Sequence, residues 1–258
     1  MRRAPALAAA LLLGAGALTA CGSGGGSDAS AGPGGGTVLR VFAAASLTGT
    51  FEQLAADFER QHEGVEVQLS FGGSSDLVAQ VQEGAPADVV ATADTANMDQ
   101  LVGDDLTADA PEVFATNTLQ LAVPPGNPAG VDGLDDLGGD VRLVVCAPAV
   151  PCGAAAERLA EAAGVDLEPV SEEQSVTDVL GKVVSGEADA GLVYVTDVRA
   201  ADDAVEGIEV PEADQVVNDY PVAALADSGE PDLAGEFVDL VLGAEGRRVL
   251  RDAGFGLP

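Results

Sequence analysis

Short apolar runs alternate with amphipathic stretches along the chain after residue 37. Residues 38–42 form an apolar run that favours a β-strand, and residues 51–60 have the apolar spacing of a helix. The succession of strand, small-residue turn and helix recurs at residues 65–82. Later strands are predicted within residues 84–94 and at 117–123, 142–147, 188–195, 208–211 and 222–226, and later helices at 98–102, 153–163, 175–184, 231–242 and 245–253. This alternation predicts an α/β fold with mostly parallel sheets flanked by helices.

Two of the predicted strands lead into helices through turns of small or hydroxyl-bearing residues. Three alanines precede Ser46 in the first turn, and two glycines precede Ser74 and Ser75 in the second. A helix start offers unpaired N–H groups and the positive end of the helix dipole, and small residues let a ligand approach them. On parallel neighbouring strands both turns would face one crevice at the carboxyl ends of the sheet. Together they predict an anion site, although each serine alone is more typical of a helix N-cap.

The N-terminus has the order of parts found in a secretory signal peptide. Residues 1–3 are basic, and residues 4–18 form an apolar run too short to span a bilayer comfortably. Small residues then precede Cys21, which resembles a bacterial lipoprotein signal and implies removal of residues 1–20 and lipid on the Cys21 thiol. The alternative is an ordinary secretory signal with an incidental cysteine. Residues 21–37 are rich in Gly, Ser and Ala and are predicted to form a flexible tether.

Composition narrows the function classes. The formal net charge is −32 with 11 Lys and Arg residues, which argues against a nucleic-acid partner because no basic patch can form. Trp is absent and Tyr occurs twice, so aromatic platforms for sugar binding are not expected. Removal of the signal peptide leaves 238 of 258 residues, enough for one large or two small domains.

The cysteines beyond Cys21 form a close pair. Cys146 and Cys152 are six residues apart, and in an oxidising compartment such a pair predicts a disulfide. The alternative is two free thiols. Because His62 is the only histidine, this pair and the histidine cannot complete a four-ligand zinc site. The predicted helix that begins beside Cys152 offers a third set of N–H donors.

Several segments together resemble the molybdate-binding proteins of ABC transporters, and the resemblance extends from Val38 to the C-terminus. The matching segments are VFAAASLT at 41–48, FGGSS at 71–75, GAPADV at 84–89 and GLVY at 191–194 with Asp197. The resemblance implies a two-lobed type II periplasmic-binding-protein fold that closes over a tetrahedral oxyanion in the cleft. It places the crossings near residues 117–119 and 216–220. The implied lobes are residues 38–117 with 220–258, and residues 118–219.

The resemblance carries ligand contacts over to five positions. Ser46 and Ser74 match hydroxyl and backbone donors of the first lobe, and Tyr194 matches a hydroxyl donor of the second. Val176 matches a backbone N–H at a helix start. Cys152 falls where the family supplies another backbone N–H, often from an alanine. This cysteine departs from the family, and a disulfide would either hold that amide rigidly or shift it.

The resemblance also implies roles for neighbouring residues and for the whole protein. Asp197 is expected to orient or cap rather than to touch a dianion, and Tyr220 to pack near the hinge. The protein would be a monomeric extracytoplasmic receptor without a cofactor or enzymatic activity. It would capture molybdate, and also tungstate, and deliver the ion to an ABC permease and its ATPase. The lipid on Cys21 would anchor it to the cell membrane.

Three alternatives remain at this point. The same fold could bind sulfate or phosphate, and Asp76 lies close enough to Ser74 in sequence to accept the proton of hydrogen phosphate. A thiol-dependent enzyme could use Cys152 as a low-pKa nucleophile, since a helix start lies beside it. A structural or adhesive lipoprotein would have no need for the donor-rich turns.

Overall fold

The computed structural model describes residues 36–258. The predicted signal peptide, the lipidated Cys21 and most of the tether lie outside the described residues. The first strand begins at Thr37, which pairs with Val65. The predicted tether, residues 21–37, therefore ends one residue too late. In the part of the chain that is described, no helix has the length and apolar character needed to cross a membrane.

Ten strands and eight α-helices are found in residues 36–258. The strands are β1 Thr37–Ala44, β2 Val65–Gly72, β3 Val89–Ala91, β4 Glu112–Asn117, β5 Leu119–Val123, β6 Leu143–Cys146, β7 Ser171–Glu173, β8 Ala190–Tyr194, β9 Glu206–Ile208 and β10 Asn218–Ala224. The helices are α1 Thr48–Gln61, α2 Ser74–Gln82, α3 Thr95–Gly103, α4 Pro151–Ala163, α5 Val176–Val184, α6 Val195–Ala201, α7 Pro231–Leu242 and α8 Ala244–Ala253. Short 3₁₀ turns lie at Ala45–Leu47, Leu134–Asp136, Asp202–Ala204 and Pro211–Gln215.

The strands form two five-stranded sheets, one in each lobe. The first has the order β2-β1-β3-β10-β4 and the second β7-β6-β8-β5-β9. In the first sheet β1 is parallel to β2 and β3, whereas β10 is antiparallel to β3 and β4. In the second sheet β6 is parallel to β7 and β8, whereas β5 is antiparallel to β8 and β9. The α/β, two-lobed class is confirmed, but the predicted mostly parallel sheets are in fact mixed.

The antiparallel pairs of the first sheet come from the strands that connect the lobes. The chain leaves the first sheet at the end of β4 and enters β5 after Thr118. It returns along β10, beside the outgoing β4, so that the two run in opposite directions and Asn218 pairs with Asn117. Parallel pairing would need a crossover connection, which this return does not make. Residues 218–219 thus lie in the first sheet rather than the second lobe; the remaining lobe limits stay predictions.

Each sheet is covered by helices because its strands alternate their side chains between two faces. In β1, Leu39 and Val41 pack with α1, α7 and α8, whereas Phe42 packs with α2 and α3. The second lobe has one continuous core that includes residues of α4, α5 and β8. This layering fixes the strand ends, and with them the small-residue turns that follow β1 and β2.

Several predicted elements have different bounds. The segment predicted as one strand at 117–123 is broken at Thr118, and β4 before it was not predicted. Helix α6 was also not predicted. A short strand expected at 208–211 lies at Glu206–Ile208. The helices predicted at 231–242 and 245–253 agree with α7 and α8 to within one residue.

Candidate functional site

One small cavity lies where the turns after β1 and β2 meet the starts of α4 and α5. Its volume, as space open to the centre of a water molecule, is about 20 Å³. One water molecule needs roughly 10–15 Å³ by the same measure, so the cavity suits a ligand of a few atoms. All five positions implied by the resemblance are among its lining residues, which are Ala44, Ala45, Ser46, Gly72, Gly73, Ser74, Ala93, Val150, Pro151, Cys152, Ser175, Val176 and Tyr194.

The two serines of the first lobe present their hydroxyls differently. Ser46 is half-buried in the 3₁₀ turn after β1, and its Oγ lies 3.0 Å from the Tyr220 hydroxyl. Ser74 is the first residue of α2 and 1% exposed. Its Oγ accepts the Ala93 N–H at 3.0 Å, which leaves the hydroxyl hydrogen free to donate. The expectation that Ser74 or Ser75 caps this helix is wrong, because Gly73 is the N-cap and α2 has no side-chain cap.

Gly73 brings the lobes into contact at the edge of the cavity. A Cβ added to Gly73 would lie 2.2 Å from the Gln174 carbonyl oxygen and 3.3 Å from Cγ1 of Val150, both in the second lobe. Only glycine allows this approach of the two backbones. The cleft is therefore closed at this point.

The second lobe contributes the starts of two helices. Cys152 is the second residue of α4, after Pro151, and Val176 is the first residue of α5. Backbone N–H groups at these positions have no partner within the helix. Ser175 caps α5 by accepting the Asp178 N–H at 3.2 Å. The two N–H groups are thus available to an acceptor in the cavity.

The cysteine pair forms the predicted disulfide. Cys146 at the end of β6 is bonded to Cys152, with their Cα atoms 5.6 Å apart. Gly153 packs so closely on this loop that an added Cβ would lie 1.9 Å from the Ala147 carbonyl oxygen. The start of α4 is therefore fixed both by the disulfide and by backbone packing. Cys152 therefore has no free thiol.

Tyr194 ends β8 with its ring 1% exposed. Its hydroxyl accepts a hydrogen bond from Nδ2 of Asn218 at 3.0 Å. Burial raises the pKa of the Tyr194 hydroxyl well above its usual value, so the group stays protonated at neutral pH. Asp197 accepts the Tyr194 N–H at 2.9 Å and does not line the cavity, in agreement with the predicted orienting role. Burial raises the pKa of the Asp197 carboxyl to about 7.

Two polar residues beneath the cavity were not predicted to serve the site. Tyr220 is fully buried and packs edge-on against Tyr194 with ring centroids 5.9 Å apart, and its hydroxyl also contacts Ser46. Asn218 contacts Tyr194. Both lie in the segment Asn218–Pro221, where polar side chains interrupt a buried strand. That interruption was the available signal in the sequence.

The described residues that line the cavity include no charged side chain. Asp76 is exposed on α2 and is not among the lining residues, so the proton acceptor that would favour hydrogen phosphate is absent from the lining. His62 lies elsewhere, with Nε2 2.7 Å from Glu236. The positive potential of the cavity comes from the starts of helices and from hydroxyl hydrogens. Such a set of donors can hold a small anion that only accepts hydrogen bonds.

The chain is similar to known solute-binding proteins over almost all of its described length. The family described as bacterial extracellular solute-binding protein matches residues 39–256. The molybdate-binding protein ModA of Mycobacterium tuberculosis is 46% identical over 243 residues, 93% of each chain.

Solved structures support the same fold. The periplasmic molybdate-binding protein of Azotobacter vinelandii has a TM-score of 0.74 at 26% identity and covers 85% of this chain and 99% of its own. The sulfate-binding protein SubI of M. tuberculosis has a TM-score of 0.69 at 21% identity and covers 85% of this chain and 86% of its own. At this identity the similarity is evidence for the fold only.

Proposed function

The chain belongs to the bacterial extracellular solute-binding proteins, in the family of ModA molybdate-binding proteins, and we propose that its closed cavity captures molybdate. The proposed contacts are the Ser46, Ser74 and Tyr194 hydroxyls and the backbone N–H groups of Cys152 and Val176. The Ser74 backbone N–H, at the first position of α2, adds a further donor.

The observation that carries this proposal is a cavity lined by donors and by no carboxylate. Molybdate is fully deprotonated at neutral pH and only accepts hydrogen bonds. Hydrogen phosphate carries a proton, and the described residues that line the cavity offer no carboxylate to accept it. A buried unpaired polar group costs ~1–3 kcal/mol, enough to disfavour phosphate by roughly 10- to 100-fold.

Size would separate molybdate from sulfate, which has the same charge and shape. A smaller ion cannot reach donors of both lobes at once, and each buried donor left unpaired lowers its affinity. The backbone donors lie at the starts of α2, α4 and α5, and the α4 start is fixed by the disulfide. A rigid cavity of this kind discriminates between anions by the distances between their oxygen atoms and the fixed donors. Tungstate is close to molybdate in size and charge, and we propose that it binds too.

We further propose that the protein acts outside the cytoplasm as a monomeric lipoprotein that delivers the ion to an ABC permease and its ATPase. The family is extracellular, and the sequence around Cys21 resembles a lipoprotein signal. The contact between Gly73 and Gln174 closes the cleft, and ligand-dependent closure would be the conformation that the permease recognises.

A thermal-shift panel with molybdate, tungstate, sulfate and phosphate tests this function on the chain beginning at Gly22. A ligand at a thousand times its dissociation constant adds ~4 kcal/mol to the free energy of unfolding, or roughly 10 °C for a chain of this size. We expect large shifts with molybdate and tungstate only. A shift with sulfate or phosphate instead would keep the fold and overturn the specificity.

A further inference from the structure

Asn218 joins three segments around the cavity, two of which, β8 and α4, carry proposed ligand contacts. It is the first residue of β10, where the chain returns to the first lobe, and is 2% exposed. Its Nδ2 donates to the Ala93 carbonyl at 2.8 Å and to the Tyr194 hydroxyl at 3.0 Å. Its Oδ1 accepts from Nη2 of Arg158, on α4, at 3.2 Å. The amide therefore connects the tyrosine and the cavity-lining Ala93 with the helix that begins beside Cys152.

The orientation of this amide is fixed by the chemistry of its partners. The Ala93 carbonyl can only accept a hydrogen bond, so it must face the NH₂ group of Asn218. The guanidinium of Arg158 can only donate, so it must face the amide oxygen. A flipped amide would place two acceptors together at one end and two donors at the other. Hence the group that faces Tyr194 is a donor.

This donor determines where the hydrogen of the Tyr194 hydroxyl can go. Because the Tyr194 oxygen accepts from Asn218, its own hydrogen must point to another acceptor. In residues 36–258 the neighbours left for it are the cavity and the Tyr220 hydroxyl, whose ring packs edge-on against it. If Tyr220 accepts it, Tyr220 can donate to Ser46, 3.0 Å away, and Ser46 then donates to the cavity. Both arrangements present a hydrogen to the ligand.

The same asparagine also supports Ser74. The Ala93 carbonyl accepts from Asn218, and the Ala93 N–H donates to the Ser74 oxygen at 3.0 Å. Ser74 therefore also keeps its hydrogen for the cavity. The hydroxyls of both lobes are thus ordered as donors by contacts outside the cavity.

We propose that Asn218 is a positioning residue for oxyanion specificity, which holds the Tyr194 side of the cavity as a hydrogen-bond donor and so excludes ions that carry a proton. The inference rests on the proposed function, because it concerns the same cavity. It adds a residue that does not line the cavity and that acts through Tyr194. The resulting preference is for a fully deprotonated tetrahedral dianion over a hydrogen-bearing one of equal charge.

The test uses two substitutions at Asn218 and the affinities for molybdate and for hydrogen phosphate, measured at pH 8 by calorimetry with competition for weak binding. In Asn218→Asp the carboxylate accepts the Tyr194 hydrogen, and Arg158 provides the charge partner that keeps it ionised. The hydroxyl then turns a lone pair toward the cavity. We expect molybdate affinity to fall on the order of 100-fold. The affinity for hydrogen phosphate should fall far less, so the ratio of molybdate to phosphate affinity should fall at least about tenfold.

Asn218→Leu removes every hydrogen bond of the amide without adding an acceptor. The Tyr194 hydroxyl can then rotate, so the ratio of molybdate to phosphate affinity should lie between those of the wild type and Asn218→Asp. A purely structural role predicts equal losses for both ions and an unchanged ratio in both variants. If Asn218→Asp fails to fold, as judged by its melting curve, the ratio in Asn218→Leu still decides: an unchanged ratio overturns the inference.

Asn127→Asp is the matched control. Asn127 lies in a second-lobe loop, and among the described residues its side-chain amide forms hydrogen bonds only with Val131, through Nδ2 at 2.8 Å and Oδ1 at 3.0 Å. The substitution adds the same charge away from the cavity and should leave the ratio unchanged. An equal change in this control would assign the effect to net charge and overturn the inference. Failure of the wild type to bind molybdate would instead refute the proposed function itself.

Discussion

Gly73→Ala should disrupt the closed cleft without disturbing either lobe. Gly73 has φ −61° and ψ 138°, which alanine adopts freely. The penalty therefore comes only from the added methyl group, which would lie 2.2 Å from the Gln174 oxygen, although Cβ contacts below 3.0 Å are essentially never found. The two segments must move apart by roughly 1 Å to accept it.

The cost of this movement can be worked out from the proposed contacts. A displacement of roughly 1 Å lengthens hydrogen bonds of about 2.9 Å beyond 3.5 Å, where they contribute little. If two bonds from the second lobe are weakened at ~1.5 kcal/mol each, the loss is ~3 kcal/mol, or about 100-fold in molybdate affinity. The melting temperature without ligand should hardly change, because the open form has no clash.

Titration calorimetry of Gly73→Ala and of Gly49→Ala would check this reasoning. Gly49 lies on α1 and does not line the cavity, and a Cβ there would meet nothing within 4 Å. Gly49→Ala should therefore bind molybdate like the wild type. Wild-type affinity in Gly73→Ala would refute the inference that the ligand-bound lobes touch at Gln174.

Three further predictions concern single groups of the site. Tyr194→Phe keeps the buried ring but removes the hydroxyl, and calorimetry should show molybdate affinity reduced roughly 10- to 100-fold; an unchanged affinity would remove Tyr194 from the ligand set. Ser74→Ala should reduce affinity similarly and also lower the free energy of unfolding by ~1–3 kcal/mol, because the Ala93 N–H loses its buried acceptor; denaturant titration measures this loss. Asp197→Asn should flatten the pH dependence of stability. The folded pKa of Asp197 is about 7, above its unfolded value of ~3.9, so its contribution is complete below pH ~4 and is lost as pH rises toward 7. Melting curves of both proteins from pH 4 to 8 would measure this. The stability of the wild type should fall more steeply with rising pH than that of Asp197→Asn, and identical slopes would contradict the raised pKa.

The local parts of the site could be predicted from the sequence because each is a short contiguous signal. A β-favouring run, small residues and an amphipathic stretch are enough to place Ser46 and Ser74 at strand-to-helix turns. Ser175 before an apolar helix likewise identifies the start at Val176. These features depend on the backbone preferences of a few consecutive residues, so they can be read from the local sequence at each turn.

The contacts beneath the cavity could not be predicted, because they join residues far apart in sequence. The Ser46–Tyr220 pair spans 174 positions, and Asn218 reaches Ala93 across 125. Both depend on the return of the chain along β10, which pairs antiparallel with β4. The alternation of strands and helices in the sequence does not predict this antiparallel pairing. Helix α6 escaped prediction for a different reason: its seven residues are too few to show helical periodicity.

The net charge of −32 is compatible with an anion site because binding depends on groups within contact distance. Surface carboxylates act through solvent and are screened over ~8 Å at physiological salt. The starts of α2, α4 and α5 place N–H groups directly at the cavity, and within residues 36–258 its lining includes no charged side chain. Lys or Arg in the lining would attract sulfate, phosphate and molybdate alike, since all carry negative charge. Neutral donors in fixed positions instead select by the number and spacing of acceptor oxygens, so the absence of cations from the lining favours specificity over general anion attraction.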